Sequence, residues 1–206
     1  GRYLVTYSSQ AVSKTWLKRG VIHLSGTEVF IPTKVSEVVQ VRVVPKVGHI
    51  VVEVLYEVDE KPPIVPNGRF CSIDLGLNNL ATVGSNVIKP IIINGRPLKS
   101  INQYYNKEKA NVQSKLEATE KRKTSKRLER LTFKRNNKVN DYLHKASRLI
   151  VNHLVSNDID TLVIGQNKEW KQDINIGRRN NQNFVNIPHS KFIQMLSIIS
   201  QSLPVL

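Results

Sequence analysis

The first 60 residues contain short runs in which apolar and polar side chains partly alternate. In residues 36–45, valines alternate with Gln and Arg, and a second β-branched run, residues 48–58, follows the turn "PKVG". A period of two residues is typical of half-buried strands, and a short turn joins antiparallel neighbours. We therefore predict a small, mostly antiparallel β module over residues 1–62. The Pro-rich stretch at residues 61–68, "KPPIVPNG", marks its boundary.

Beyond this boundary the hydrophobic pattern changes twice. Residues 69–94 give three short apolar segments separated by tight turns, and residues 100–157 carry apolar positions at three- and four-residue spacing, which predicts long helices. Residues 160–165, "DTLVIG", form a continuous apolar run that predicts a strand buried on both faces of a parallel sheet. A further helix is predicted to begin near Pro188.

This order predicts three antiparallel strands, a helical crossover, and a fourth strand parallel to the first. Such an arrangement is a ribonuclease H-like layout. The fold class is therefore α+β or α/β, in which the N-terminal β module precedes an incomplete ribonuclease H-like fold. This second domain covers residues 63–206 and carries a basic helical insertion at about residues 100–157. Both chain ends look cut, because the sequence starts without Met and closes on "SIISQSLPVL".

Composition changes the picture mainly through charge. The 206-residue chain has 31 Lys or Arg against 16 Asp or Glu, a net charge of +15. Such an excess predicts a polyanionic partner, for which nucleic acid is favoured over an anionic membrane. No apolar run approaches the roughly 20 residues that span a bilayer, and no signal peptide opens the chain. We therefore predict a soluble, cytoplasmic protein. Its single cysteine excludes a disulfide framework or a Cys-rich zinc site within this sequence.

The positive charge is concentrated in the predicted helices. Residues 99–148 contain 15 Lys or Arg and five Asp or Glu, a net +10 of the total. Phosphate contacts by such residues release counterions and give salt-dependent binding, although a solvated helical face is the alternative. Tyr104, Tyr105 and Phe133 either stack on bases or pack in the core. The candidate nucleic-acid-binding residues are Lys121, Arg122, Lys123, Lys126, Arg127, Arg130, Lys134, Arg135, Arg178 and Arg179.

Asp74 is the main candidate for catalytic chemistry. It interrupts the apolar run "FCSIDLG", and a buried carboxylate costs several kcal/mol unless it is paired. Either neighbouring groups satisfy Asp74, or it holds a cation or a phosphate at the strand end.

A ribonuclease H-like site needs several carboxylates around a pair of Mg²⁺ ions, which stabilise the attacking and leaving oxygens. The second carboxylate would follow the neighbouring strand, but that position is Gly165. The nearest acids are Asp158 and Asp160 before the strand, and Glu169 and Asp173 after it.

The segment "SIDLGLNNLATVGSN" resembles the first RuvC motif of the OrfB/TnpB family, transposon-encoded RNA-guided nucleases often described as transposases. The resemblance covers roughly residues 36–196. It implies that the β module is a wedge-like part that grips guide RNA and DNA, and that the RuvC half cuts DNA with Mg²⁺. Asp74 would be the first catalytic metal ligand, whereas many members have glutamate where this sequence has Gly165. The family's zinc finger and third RuvC acid lie beyond the end of this sequence, which implies a truncated copy.

Four functional hypotheses remain at this point. The first is a family fragment that binds nucleic acid and does not cut it alone. The second is an active nuclease in which Glu169 or Asp173 joins Asp74. The third is an actin-like ATPase, since "IDLG" also opens the phosphate hairpin of that superfamily. The fourth is a non-catalytic basic nucleic-acid-binding protein, in which Asp74 bonds to nearby backbone amides.

Overall fold

The protein is a mixed α/β chain that divides into two compact units, Gly1–Pro63 and Ile64–Leu206. The computed structural model describes residues 3–59, 65–120, 123–165 and 187–202. The assignment of the first unit to a wedge-like module stays a prediction.

The first unit contains two antiparallel sheets. Its strands are β1 (Val5–Ser8), β2 (Val21–His23), β3 (Phe30–Pro32), β4 (Gln40–Lys46) and β5 (His49–Leu55). The sheet orders are β1-β4-β5 and β2-β3. Lys46 pairs with His49 across the turn, so the hairpin predicted around "PKVG" is confirmed. Gly48 in that turn has a φ of 79°, which glycine adopts without a steric penalty.

A short helix interrupts the strands of the first unit. Helix α1 (Lys14–Leu17) lies between β1 and β2. Its backbone turn is closed by the Leu17 N–H, which donates to the Ser13 carbonyl at 3.0 Å. A single helical turn is too short to show a 3.6-residue period, so the hydrophobic pattern could not reveal it.

The second unit is built on one four-stranded sheet. Its strands are β6 (Phe70–Leu75), β7 (Asn79–Ser85), β8 (Ile91–Asn94) and β9 (Thr161–Ile164), in the order β8-β7-β6-β9. β6, β7 and β8 pair antiparallel, whereas β9 pairs parallel to β6. The predicted strand layout is therefore confirmed, with the helices between β8 and β9 forming the crossover.

The helices in the described residues of this unit are α2 (Arg96–Glu120), α3 (Lys126–Ser156) and α4 (His189–Ser202). The Ser125 hydroxyl accepts the Leu128 N–H at 3.2 Å and so caps the N-terminus of α3. α2 begins four residues earlier than predicted, because the Asn94 side chain accepts the Arg96 N–H at 3.0 Å. Pro97 fits the first turn, since an N–H there needs no partner within the helix.

Alternation along β6 decides what the sheet buries. Cys71, Ile73 and Leu75 are buried against α3 and α4, whereas the residues between them are exposed. β9 differs from its prediction, because Val163 is 55% exposed. Only one face of β9 therefore packs against the described core. The unbroken apolar run of β9 arises from β-branched residues that suit a strand, and not from burial on both faces.

Gly95 offers a test of how tightly the turn after β6 is packed. Its N–H donates to the Asn78 carbonyl at 2.7 Å. A Cβ at Gly95 would lie 3.0 Å from the Leu80 nitrogen and closer still to the Leu77 oxygen. Because both are backbone atoms, we expect Gly95→Ala to lower the free energy of unfolding by about 1–3 kcal/mol or more, measured by urea denaturation.

Gly84→Ala is the matched control for this substitution. A Cβ at Gly84 would meet the Ser72 hydroxyl at 3.5 Å, an ordinary contact. An equal loss of stability in both variants would show that the close approach at Gly95 is not the cause.

Candidate metal and nucleic-acid sites

Asp74 lies at the C-terminal end of β6 and its side chain is exposed. Its neighbours Ile73 and Leu75 point to the buried face, so alternation places the carboxylate on the opposite face. Its partner on β7 is Thr82. The desolvation cost expected from the apolar run therefore does not arise, and the carboxylate is accessible to a cation in solution.

The turn that follows Asp74 is held from a distant part of the chain. The His189 ring, only 1% exposed at the start of α4, places Nε2 2.9 Å from the Gly76 carbonyl oxygen. A Cβ at Gly76 would lie 2.8 Å from the Asn79 oxygen, so this turn requires glycine. His189 is a positioning residue that the site prediction missed, since 113 residues separate it from Gly76.

Gly165 occupies the position beside Asp74 on the adjacent strand. Its N–H donates to the Ile73 carbonyl at 3.1 Å, continuing the parallel register in which Ile73 pairs with Ile164. Residues that pair in register share a face of the sheet, so position 165 lies on the face of Asp74. A Cβ there would meet its nearest atom at 3.6 Å. The backbone therefore places position 165 where a second metal ligand could stand beside Asp74, but glycine supplies no carboxylate there.

Asp158 and Asp160, two candidates for the second carboxylate, lie at the opposite end of the strands. Phe70 pairs with Thr161, so Asp160 precedes β9 while Asp74 closes β6. Asp160 is level with Arg69, so five residue steps separate it from the level of Asp74, roughly 17 Å at 3.3 Å per residue. Neither Asp158 nor Asp160 can share a metal ion with Asp74.

Both of these carboxylates have structural partners instead. Asp160 accepts hydrogen bonds from the Asn67 N–H and the Thr161 hydroxyl, and these bonds lower the pKa of the Asp160 carboxyl. Asp158 lies 3.4 Å from the Arg69 guanidinium. Through these contacts, Asp158 and Asp160 join the segment that precedes β9 to the segment that precedes β6.

The remaining candidates, Glu169 and Asp173, lie outside the described residues. Within the described ranges, no three His, Cys, Asp or Glu side chains come together as a metal site. Mg²⁺ is often bound by one or two carboxylates and several waters. Asp74 fits the role of one such ligand, but the described residues alone do not fit a pair of Mg²⁺ ions.

The predicted nucleic-acid-binding residues divide into three groups. Lys123, Lys126, Arg127, Arg130 and Lys134 are exposed at the start of α3 or along it. Arg135 is half-buried. Lys121, Arg122, Arg178 and Arg179 lie outside the described residues. None of the helices in the described part of the chain is long and apolar enough to cross a membrane.

Arg135 joins α2 to α3. Its Nε donates to the Asn102 Oδ1 at 2.8 Å, and Nη1 donates to the Asn136 Oδ1 at 3.0 Å. The guanidinium lies over the Tyr105 ring at 5.7 Å. Burial lowers the pKa of Arg135, and the charge interaction with Tyr105 opposes this. Arg135 therefore has a structural role within the helix pair.

The two tyrosines predicted to stack on bases or pack in the core, Tyr104 and Tyr105, differ in their surroundings. The Tyr105 hydroxyl lies 3.1 Å from the Thr132 hydroxyl on α3, so this ring is held between the helices. Tyr104 is 62% exposed. Of the two neighbouring rings, only Tyr104 is free to stack on a ligand.

Comparison with known proteins identifies the family. Residues 53–171, more than half of the chain, match the family model OrfB_IS605, described as "Probable transposase". No curated protein matches.

Two solved structures are similar to 80% of this chain, each at 13% identity and over 34% of its own chain. One is described as "Cryo-EM structure of the Cas12f1-sgRNA-target DNA complex", with a TM-score of 0.53. The other is described as "Cryo-EM structure of CRISPR-Cas12f Ternary Complex", with a TM-score of 0.49. This chain spans about a third of the length of either, and the first likeness shows a shared fold. The match over residues 53–171 and the motif around Asp74 together place this chain in the OrfB/TnpB family.

Proposed function

We propose that this chain is the nucleic-acid-binding part of a TnpB-like, RNA-guided DNA endonuclease. The observation that carries the proposal is the position of Asp74, an exposed carboxylate at the end of β6 beside the parallel strand β9. In a ribonuclease H-like (RuvC) domain, the first metal ligand stands on the first strand in this way. The order β8-β7-β6-β9 and the helical crossover support that fold for the second unit.

The partners that we propose are DNA and a guide RNA. The exposed cations of α3 support this, because Lys and Arg on one helix contact successive phosphates without reading sequence. In the first unit, Trp16 and Phe30 are partly exposed and pack edge to face at 5.1 Å, and Arg19 lies 5.3 Å from the Trp16 ring centre. Aromatic rings beside a cation suit a wedge-like module that holds nucleic acid.

In this proposal, nucleic-acid binding and DNA cleavage depend on different residues. When bound, Mg²⁺ supplies charge stabilisation for phosphodiester cleavage, and Asp74 would be one of its ligands. The position level with Asp74 on the adjacent strand is Gly165, which has no carboxylate, and the described residues hold no group of three His, Cys, Asp or Glu side chains that could bind a metal. We therefore propose that the chain binds nucleic acid but does not cut it alone. In the alternative, an active nuclease, Glu169 would be the second metal ligand with Asp74.

Substitution of Asp74 tests this separation. We expect Asp74→Ala to bind a labelled single-stranded DNA and its matching duplex within about twofold of the unaltered chain, because no cation that contacts phosphate is removed. Affinity is measured by fluorescence anisotropy with Mg²⁺ present, and cleavage is followed in the same samples. Asp74→Asn is the control that keeps the side-chain volume.

The possible outcomes lead to different conclusions. A large loss of affinity in both variants would place Asp74 in the binding surface and contradict the proposal. Cleavage by the unaltered chain that both variants abolish would reveal a working nuclease with a second acid. If the Asp74→Ala variant cleaves DNA as well as the unaltered chain does, Asp74 is excluded as a metal ligand.

A further inference from the structure

A groove of about 810 Å³ lies between α2 and α3. Its lining combines cations with aromatic and aliphatic side chains and includes no residue of β6. Five of the described residues that line it are cationic, and Glu108 is the one acid among them. The cations are Arg127, Arg130, Lys134, Arg135 and Lys138. This imbalance makes the groove complementary to a polyanion.

The cations of α3 follow the groove in a regular row. Arg127, Arg130, Lys134 and Lys138 are spaced by three or four residues, so they share one helix face. At 1.5 Å per residue the row spans roughly 16 Å. A row of this length can contact several consecutive phosphates of one strand.

The opposite wall of the groove offers an aromatic surface. Tyr104 lines the groove and is 62% exposed. Tyr105 and Arg135 beside it are bonded to Thr132 and Asn102. The exposed Tyr104 ring therefore stands on a helix pair whose neighbouring side chains join α2 to α3.

We propose that this groove binds single-stranded nucleic acid, with phosphates along the α3 cations and an unpaired base stacked on Tyr104. This inference rests on the proposed function and adds the strand type and the stacking residue. A duplex keeps its bases paired inside the helix, so only an unpaired base can use the ring. An acidic peptide would satisfy the cations, but it would leave the exposed Tyr104 ring without a stacking partner. Base–aromatic stacking is tolerant of sequence because every base has a π-face.

The experiment compares Tyr104→Ala and Tyr104→Phe in the full chain. The probes are labelled oligo-dT, oligo-rU and an abasic strand of equal length, which keeps the phosphates and lacks the bases. We expect Tyr104→Ala to bind oligo-dT or oligo-rU about tenfold more weakly, whereas Tyr104→Phe keeps the affinity because its ring still stacks. Neither variant should change the affinity for the abasic strand. Because Tyr104 is exposed, both variants are expected to fold.

The probes distinguish failure of this inference from failure of the proposed function. If the unaltered chain binds all three strands and Tyr104→Ala changes none, the groove inference is overturned while nucleic-acid binding stands. If the unaltered chain binds no strand, both are overturned. Displacement of oligo-dT by a Glu-rich peptide, with no effect of Tyr104→Ala on oligo-dT affinity, would assign the groove to an acidic peptide. If Tyr104→Ala lowers the affinity for only one of oligo-dT and oligo-rU, the inference is supported. A loss for oligo-dT would identify the bound strand as DNA, and a loss for oligo-rU would identify it as RNA.

Discussion

Replacement of Arg127, Arg130 and Lys134 with glutamine is expected to reduce the salt dependence of nucleic-acid binding by about two units of slope in log K against log salt concentration. Each phosphate contact contributes roughly 0.7 to this slope on single strands and 0.9 on B-form DNA. All three side chains are exposed and line the α2–α3 groove. The measurement is fluorescence anisotropy of a labelled oligo-dT over a range of NaCl concentrations.

The control must remove the same charge elsewhere in the second unit. Lys89, Lys145 and Lys191 are exposed and do not line this groove. Their triple replacement with glutamine lowers the net charge equally, but should leave the slope nearly unchanged. An equal change in both triple variants would show that overall charge, and not the α2–α3 groove, determines binding.

Gly165→Glu is expected to create a divalent-cation site where the natural sequence provides half of one. A glutamate at position 165 would share the sheet face of Asp74 on the adjacent strand. Two carboxylates attract a dication much more strongly than one, even in a solvated setting, so we expect Mn²⁺ or Mg²⁺ affinity to rise about tenfold or more. Calorimetric titration without nucleic acid measures this directly.

Gly165→Gln provides the matched control, because it has nearly the same volume without the charge. A Cβ at Gly165 would meet the Ile73 oxygen at 3.6 Å, an ordinary contact, so neither substitution creates a clash at Cβ. Combining Gly165→Glu with Asp74→Asn should reverse most of the gain. If the Gly165→Glu and Gly165→Gln variants bind the metal with equal affinity, then position 165 does not face Asp74.

The sequence predicted the strand order of the second unit because that order depends on local patterns. Residues 69–94 show three short apolar segments separated by tight turns, and residues 100–157 show a long three- and four-residue period. The one-turn helix Lys14–Leu17 has no period to detect. The early start of α2 depends on one side-chain bond from Asn94.

The candidate site was harder to predict because its parts are distant in sequence. Asp74 was recognised from its motif, but its exposure follows from which face of β6 the helices cover. Rejection of Asp158 and Asp160 required the register of β6 against β9. Arg135 looked like one more basic residue until its bond to Asn102, 33 positions away, gave it a structural role.

The burial of Cys71 has a practical consequence. It is the only cysteine of the sequence, it lies at 0% exposure in β6, and burial raises the pKa of its thiol. β6 is paired on both sides, with β7 and β9. An alkylating reagent can reach this thiol only when the core between β6 and the helices opens, because the thiolate must form in water to react. The labelling rate of Cys71 therefore reports how often the core behind the strand that carries Asp74 opens.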